Sequence, residues 1–282
     1  MTALPELQLR AATTQPDRRR RLVGVILMAT PGALALLVAL VGPFFAPHEV
    51  SELVGPPLVG PSAGTPLGTD YLGHDVLSRV LYGGRSLVLL PLAATLAVSA
   101  IGATLGILSG YLEGRFDRGL VAVLDVLLAL PWLLVLLVLV SGWGSGPFVL
   151  VLAVVLTGSP FVARVARAAT LQVAHTGYVE QARALGEPVR WIVAREILPN
   201  IAGPLLADAG LRFVASLYLV ATASFLGFGL QPPAADWGLM IGENVDGMAL
   251  TPWGVVVPAI LIAALAVSAN LIVDRLAGRL AR

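Results

Sequence analysis

Residues 126–163 read VLLALPWLLVLLVLVSGWGSGPFVLVLAVVLTGSPFVA, a run of 38 residues without one formal charge. A bilayer core is crossed by roughly 20 apolar residues of α-helix, so this stretch is too long for one crossing and long enough for two. Ser141-Gly-Trp-Gly-Ser-Gly-Pro147 interrupts it, and such a Gly-rich break ending in proline reads as a tight turn. The expected spans are about 120–140 and 148–167. Working outward, the uncharged runs 22–48, 86–112 and 247–273 each hold one more. A sixth, 205–225, carries Asp208 and Arg212 near its start. The fold class expected is therefore all-α integral membrane, with six transmembrane helices.

Composition agrees. Of 282 residues, 57% are hydrophobic and 12% charged, and the mean hydropathy is +0.87, which a water-exposed surface does not carry. There is no cysteine, so disulfides, thiolate nucleophiles and cysteine metal sites are excluded. All 18 basic residues are arginine, which leaves no lysine for a phosphate-binding P-loop or a Schiff base. His48, His74 and His175 are scattered and suggest no metal cluster. A net charge of +1 gives no reason to expect nucleic acid as a partner.

Six spans put both termini on one side. Arg10, the cluster Arg18 to Arg21, Arg115, Arg118, Arg164, Arg167, Arg183, Arg190, Arg195, Arg275, Arg279 and Arg282 fall on that side, which the positive-inside rule makes cytoplasmic. Only Arg79 and Arg85 fall opposite, among Glu49, Glu52, Asp70, Asp75, Asp236, Glu243 and Asp246. The Arg18 to Arg21 cluster reads as an anchor at lipid headgroups. No small-residue cleavage site follows the first apolar run, so it is expected to remain a helix rather than be removed as a signal peptide. The expected organisation is a cytoplasmic tail at 1–21, a first transmembrane helix at 22–45, an extracellular segment at 46–85, a five-helix core at 86–273 and a cytoplasmic tail at 274–282.

Inside the spans, Gly102, Gly106 and Gly110 form a stripe on which another helix can pack closely. Asp208 and Arg212, four apart, face the same way and can neutralise each other. They either border a pathway or its inner gate, or form a structural pair. No relay of acids and histidines suits a proton-coupled secondary transporter, and neither H-E-x-x-H nor G-x-S-x-G is present for an intramembrane enzyme.

The longest connection on the arginine-rich side, 168–203, contains ATLQVAHTGYVEQARALGEPVRWIVAREILPN at 169–200. Gly177 starts a short helix with Glu180 in its first turn, Gly186 ends it, and Pro188 suits the first turn of the next. Such a helix either docks in a groove on a partner or lies on lipid.

This stretch resembles the cytoplasmic EAA loop of ABC importer permeases, E-A-A-x3-G-x9-I-x-L-P. The chain has Glu180-Gln181-Ala182, Gly186, Leu198 and Pro199 at that spacing, and departs at Gln181 and Glu196. Leu67-Gly-Thr-Asp-Tyr-Leu-Gly-His-Asp-Val-Leu-Ser-Arg79 is similar to the outer segment of the C-type subunit of dipeptide and oligopeptide importers, with His74 where that pattern has Arg. Ser224-Phe-Leu-Gly-Phe-Gly-Leu-Gln-Pro-Pro233 with Trp237-Gly238 matches a further block. Val220 replaces a common acid, and Val273 replaces a common Gly.

The resemblance implies a type I importer permease fold and a non-catalytic subunit that forms half of a peptide pathway. Its partners would be a homologous permease, two ATP-binding subunits and an extracellular solute-binding protein. Cofactors would lie outside this chain, as ATP and Mg in the ATPase subunits. Tyr178, Val179, Glu180, Ala182, Arg183 and Gly186 would couple to the ATPases, with Tyr178 and Val179 as apolar anchors. Asp70, Asp75 and Trp237 are candidates for contact with the binding protein, although Asp70 and Asp75 also suit turn shaping and helix capping, and Trp237 an interfacial anchor. Alternatives are import of nickel or metallophore complexes within the same family, or an ATP-independent secondary transporter.

Overall fold

The computed structural model describes residues 18–280, with side chains over 29–275. Most of the expected tail 1–21, and the side chains of Arg10, Arg279 and Arg282, lie outside the described residues. The described chain is helical, with two isolated β-bridges. Its helices are α1 (Arg18–Val41), α2 (Val76–Leu112), α3 (Gly114–Ala129), α4 (Trp132–Trp143), α5 (Pro147–Ala174), α6 (Gly177–Ala184), α7 (Val189–Ile192), α8 (Leu198–Phe225), α9 (Trp237–Asn244) and α10 (Trp253–Leu280). Among the described residues, four helices are long and apolar enough to cross a membrane: Val76–Leu112, Pro147–Ala174, Val189–Phe225 and Trp253–Arg275. A bent pair, α3 with α4, makes a fifth, and Ala29–Phe45 is a shorter apolar helix.

The span expected at 120–140 is not one helix. α3 and α4 meet at an angle of 88°. Proline disfavours helical conformation in the residue before it. Leu130 accordingly sits at φ −79°, ψ 125°, and Pro131, equally extended, opens α4. The expected turn is found, with Gly144 following α4 and Pro147 in the first turn of α5. α2 starts at Val76, because the Asp75 carboxylate accepts the N–H groups of Leu77 and Ser78 as its N-cap. The helix near Val76 and the span 86–112 are thus one element.

α2 packs along α5 through the glycine stripe. A Cβ on Gly102, Gly106 or Gly110 would lie 2.7 Å from the Ser159 carbonyl oxygen, 2.3 Å from that of Ala163 and 2.9 Å from that of Arg167, respectively. The backbones therefore approach as closely as small residues permit, which is how helices associate where lipid is as apolar as their side chains. α8 crosses both, and α9 tucks among α2, α8 and α10. α1 lies against α10, where Gly32 leaves room for Ser268 and donates its N–H to the Ser268 hydroxyl at 2.9 Å. The perimeter is apolar: Val138, Leu96, Ile260 and Leu34 are all at least 60% exposed, as lipid-facing residues are.

Candidate functional site

The connection from α5 to α8 is built by local rules. α5 ends at Ala174, and the Thr176 hydroxyl donates back to the Val173 carbonyl at 2.6 Å. The Thr176 carbonyl receives the first bonds of α6, from the N–H groups of Val179 and Glu180. Glu180 stands in the first turn, where a carboxylate suits the helix dipole. At the other end the Gly186 N–H bonds to the Arg183 carbonyl and the Glu187 N–H to the Ala182 carbonyl. That pairing is a Schellman motif, and it needs the left-handed residue that Gly186 supplies at φ +76°. Pro188 stands just before the first turn of α7 rather than in it.

Two faces of α6 have different duties. Val179 and Ala182 point inward and pack with Ile192, Ile197 and Ile201 against Ile107 and Tyr111 of α2 and Ala166 of α5. Val179 is fully buried, so it anchors α6 to its own chain and cannot be the exposed anchor expected for it. Tyr178 is 43% exposed and Leu185 74%, and Glu180 is exposed with them. Leu185 is seven residues after Tyr178 and shares its face, a spacing visible in the sequence but masked by the adjacent helix-ending glycine. The Arg183 guanidinium stacks on the Tyr111 ring at 4.3 Å and reaches the Tyr111 carbonyl at 3.5 Å, which ties α6 to the end of α2. Beneath it, Arg167 of α5 holds Asp117 of α3 with two bonds of 2.6 Å, and the Ser109 hydroxyl of α2 donates to the same carboxylate.

Beyond α7, a π-turn at Val193–Ile197 leads without a break into α8, with Pro199 just after it. Val189 to Phe225 forms one continuous span of 37 residues.

At the acidic end, three expected contact residues are closed off from any partner. Asp70 is fully buried. It accepts the N–H groups of Leu72, Gly73 and His74 at 2.8–2.9 Å, and it pairs with the His74 ring and with Arg79. Burial alone would raise its pKa, but the His74 N–H and the Arg79 guanidinium outweigh burial and hold the carboxyl below its ordinary value. Arg79 also reaches Glu243 of α9 at 3.0 Å, and Glu243 accepts the Tyr71 hydroxyl at 3.1 Å. Asp75 is consumed as the α2 cap. Trp237 is fully buried and donates its indole N–H to the Val80 carbonyl at 2.7 Å. These residues clamp residues 46–75 and α9 onto α2, because their polar atoms are spent inside the chain. Asp236 joins the clamp, accepting the Ser86 hydroxyl at 2.5 Å and the N–H groups of Gly238 and Leu239; burial pushes its carboxyl above the usual range.

Asp208 and Arg212 do meet. The Arg212 Nε lies 3.5 Å from Asp208 Oδ1, a loose pairing. Among the described residues Asp208 Oδ2 has no hydrogen-bond partner. The guanidinium stands 5.1 Å from the Phe161 ring centre and borders a cavity of about 430 Å³ bounded by Val98, Trp132, Phe161, Ser216 and Leu219. No group of His, Cys, Asp and Glu among the described residues is arranged to hold a metal ion.

Residues 102–282 match the family described as binding-protein-dependent transport system inner membrane component. The chain is 36% identical over 217 residues to the glutathione transport system permease protein GsiD of Pectobacterium atrosepticum, covering 77% of this chain and 72% of that protein. It is 33% identical to the probable D,D-dipeptide transport system permease protein DdpC of Escherichia coli, covering 86% and 81%. It is 31% identical to the dipeptide transport system permease protein DppC of Haemophilus influenzae, covering 92% and 89%. Among solved structures it is similar in fold to a chain of the MetNI methionine ABC transporter, with a TM-score of 0.54 at 18% identity over 70% of this chain and 96% of that one. An all-helical membrane fold, the motifs of the α5–α8 connection and these relatives converge: the chain belongs to the binding-protein-dependent transport system inner membrane components, as a non-catalytic, multi-pass permease subunit of the C type.

Proposed function

We propose that this subunit forms half of the membrane pathway of an ATP-driven peptide importer and takes its power stroke through α6. Six crossings put both termini, α6 and most arginines in the cytoplasm, with α1 and the bent α3–α4 pair counted as one crossing each. A homologous permease supplies the other half. Two cytoplasmic ATP-binding subunits, holding ATP and Mg, dock against α6, and an extracellular solute-binding protein delivers the cargo. The relatives named for glutathione and dipeptide transport support a peptide cargo.

The observation that carries the reading is the division of α6 into a buried face locked to α2, α5 and α8 and an outward face bearing Tyr178, Glu180 and Leu185. A partner pressing on the outward face moves Val179 against Ile192 and Ile197, and so moves the long span to which they belong. A lever of this kind must stay rigid at both ends. Its distal end depends on Gly186.

Nothing lies within 4 Å of a Cβ built on Gly186, so conformation, not bulk, restricts the position. Left-handed backbone costs an L-residue roughly 1–2 kcal/mol, less for Asn. Gly186→Val is expected to lower ATP hydrolysis stimulated by loaded binding protein at least tenfold in the reconstituted complex, while the subunits still co-purify, and Gly186→Asn to stay near wild type. Full stimulation in Gly186→Val would count against α6 as the coupling element.

A further inference from the structure

Arginine within a membrane span is costly, so its surroundings matter. Arg212 is the fifteenth of the 28 residues of α8, roughly 20 Å along the helix from Leu198. It lies inside the apolar 205–225 segment, two residues beyond Gly210, which packs on Val273 of α10. Asp208 offsets its charge without saturating it: one contact of 3.5 Å reaches Nε. Among the described residues no hydrogen bond reaches the two terminal nitrogens, and the guanidinium borders the cavity beside the Phe161 ring. The rest of that lining is aliphatic and aromatic, with hydroxyls from Thr157, Ser216 and Tyr218.

A second pair lies on the same route. Arg164, three residues beyond Phe161 on α5, bonds to Asp125, three residues before the cavity residue Leu128 on α3. Both partners are more than half exposed, though they lie within apolar helices. Charged groups line one face of α3, α5 and α8, leading from the cavity toward the α6 end.

We propose that Arg212 is a subsite for the carboxylate of the transported solute, and that the cavity beside it receives an apolar side chain of the same molecule. A guanidinium offers a carboxylate two parallel N–H groups, and Arg212 has its terminal pair to give while Nε stays with Asp208. This rests on the proposed peptide pathway, since a peptide's C-terminal carboxylate is the anion such a site would meet.

The test is uptake by the complete complex in proteoliposomes of a dipeptide ending in phenylalanine and of its C-terminal amide, each at saturating binding protein and ligand. The variants are Arg212→Gln, Arg212→Lys, Asp208→Asn and Asp208→Asn/Arg212→Gln. Arg212→Gln is expected to slow the acid at least tenfold and the amide less than twofold, without rescue in the double variant. Arg212→Lys, which keeps the charge but loses the fork, is expected to narrow the acid-to-amide ratio about threefold, and it serves if Arg212→Gln does not assemble. Equal loss for acid and amide, restored in the double variant, would make Arg212 a counter-charge for Asp208 and overturn the assignment. Unchanged uptake in Arg212→Gln would overturn it as well. A wild-type complex that moves neither peptide would overturn the peptide reading itself, which separates the two failures.

Discussion

Gly106→Leu is expected to stop α2 and α5 from seating together, with the subunit lost from the assembled complex. The first side-chain carbon alone would stand 2.3 Å from the Ala163 carbonyl oxygen, 2.6 Å from the Ala166 Cβ and 2.9 Å from the Arg167 nitrogen. Two of these are backbone atoms in the middle of a helix and cannot swing aside. Overpacking typically costs 1–3 kcal/mol when side chains can adjust, and here the cost is expected to exceed about 3 kcal/mol. Displacing α5 would also pull Arg167 from Asp117, loosening the support beneath α6. The readouts are yield of the co-purified complex and its thermal midpoint in detergent. Gly119→Ala, on α3 with nothing within 4 Å of a built Cβ, is the matched control and is expected to be neutral or slightly stabilising. A Gly106→Leu complex that purifies and melts like wild type would refute the close-approach argument.

The second large effect is at the acidic end. Arg79→Gln removes the cation that both Asp70 and Glu243 face, and leaves a fully buried carboxylate beside the His74 ring and the N–H groups of its turn. Breaking a buried pair from one side costs about 3–5 kcal/mol. The pH dependence gives the sharper signature. In the native protein the Asp70 pKa is lowered, so its contribution to stability is complete above the ordinary carboxylate pKa and disappears as pH falls through the depressed folded value. Without Arg79, burial is opposed only by the N–H groups of the turn, so the carboxyl pKa moves up. Acidification from pH 7 toward 4 should therefore narrow the gap in thermal midpoint between the native protein and the variant. Parallel curves would mean that Asp70 is not governed by Arg79.

Much of this architecture was legible because it is set locally. Uncharged runs of bilayer length, a glycine-rich break and an aspartate ahead of Val76 mark where helices begin and end. The elbow at Leu130-Pro131 has a local signal as well, but in a uniformly apolar run the length suits a single crossing, and the proline alone does not distinguish a kinked span from a broken one. The limits of α6 were readable from Gly177, Glu180 and Gly186. Its faces were not, since Tyr178 and Val179 differ by one residue of rotation, about 100°, and only the placement of α2 and α8 decides which is covered. The same holds for Trp237. Nothing local to Trp237 reveals that its indole bonds to the carbonyl of Val80, 157 positions away, so residues read as exposed contacts proved to be an internal clamp. Arg79, which in the sequence stands out as an outlying positive charge and closes the outer motif, holds that clamp together.

The contact between α1 and α10, where Gly32 meets Ser268 across 236 positions, bears on biogenesis. A chain entering the membrane from its N-terminus inserts its first helix long before the neighbour that covers it has been synthesised. α2 and α5, closer in sequence and shaped to fit, can pair meanwhile, but the Gly32 face must wait for the final span. A ribosome that stops short of Trp253 therefore leaves α8 and α9 uncovered and α1 held by α2 alone, and quality-control proteases would meet such a product with the Gly32 face of its first helix open.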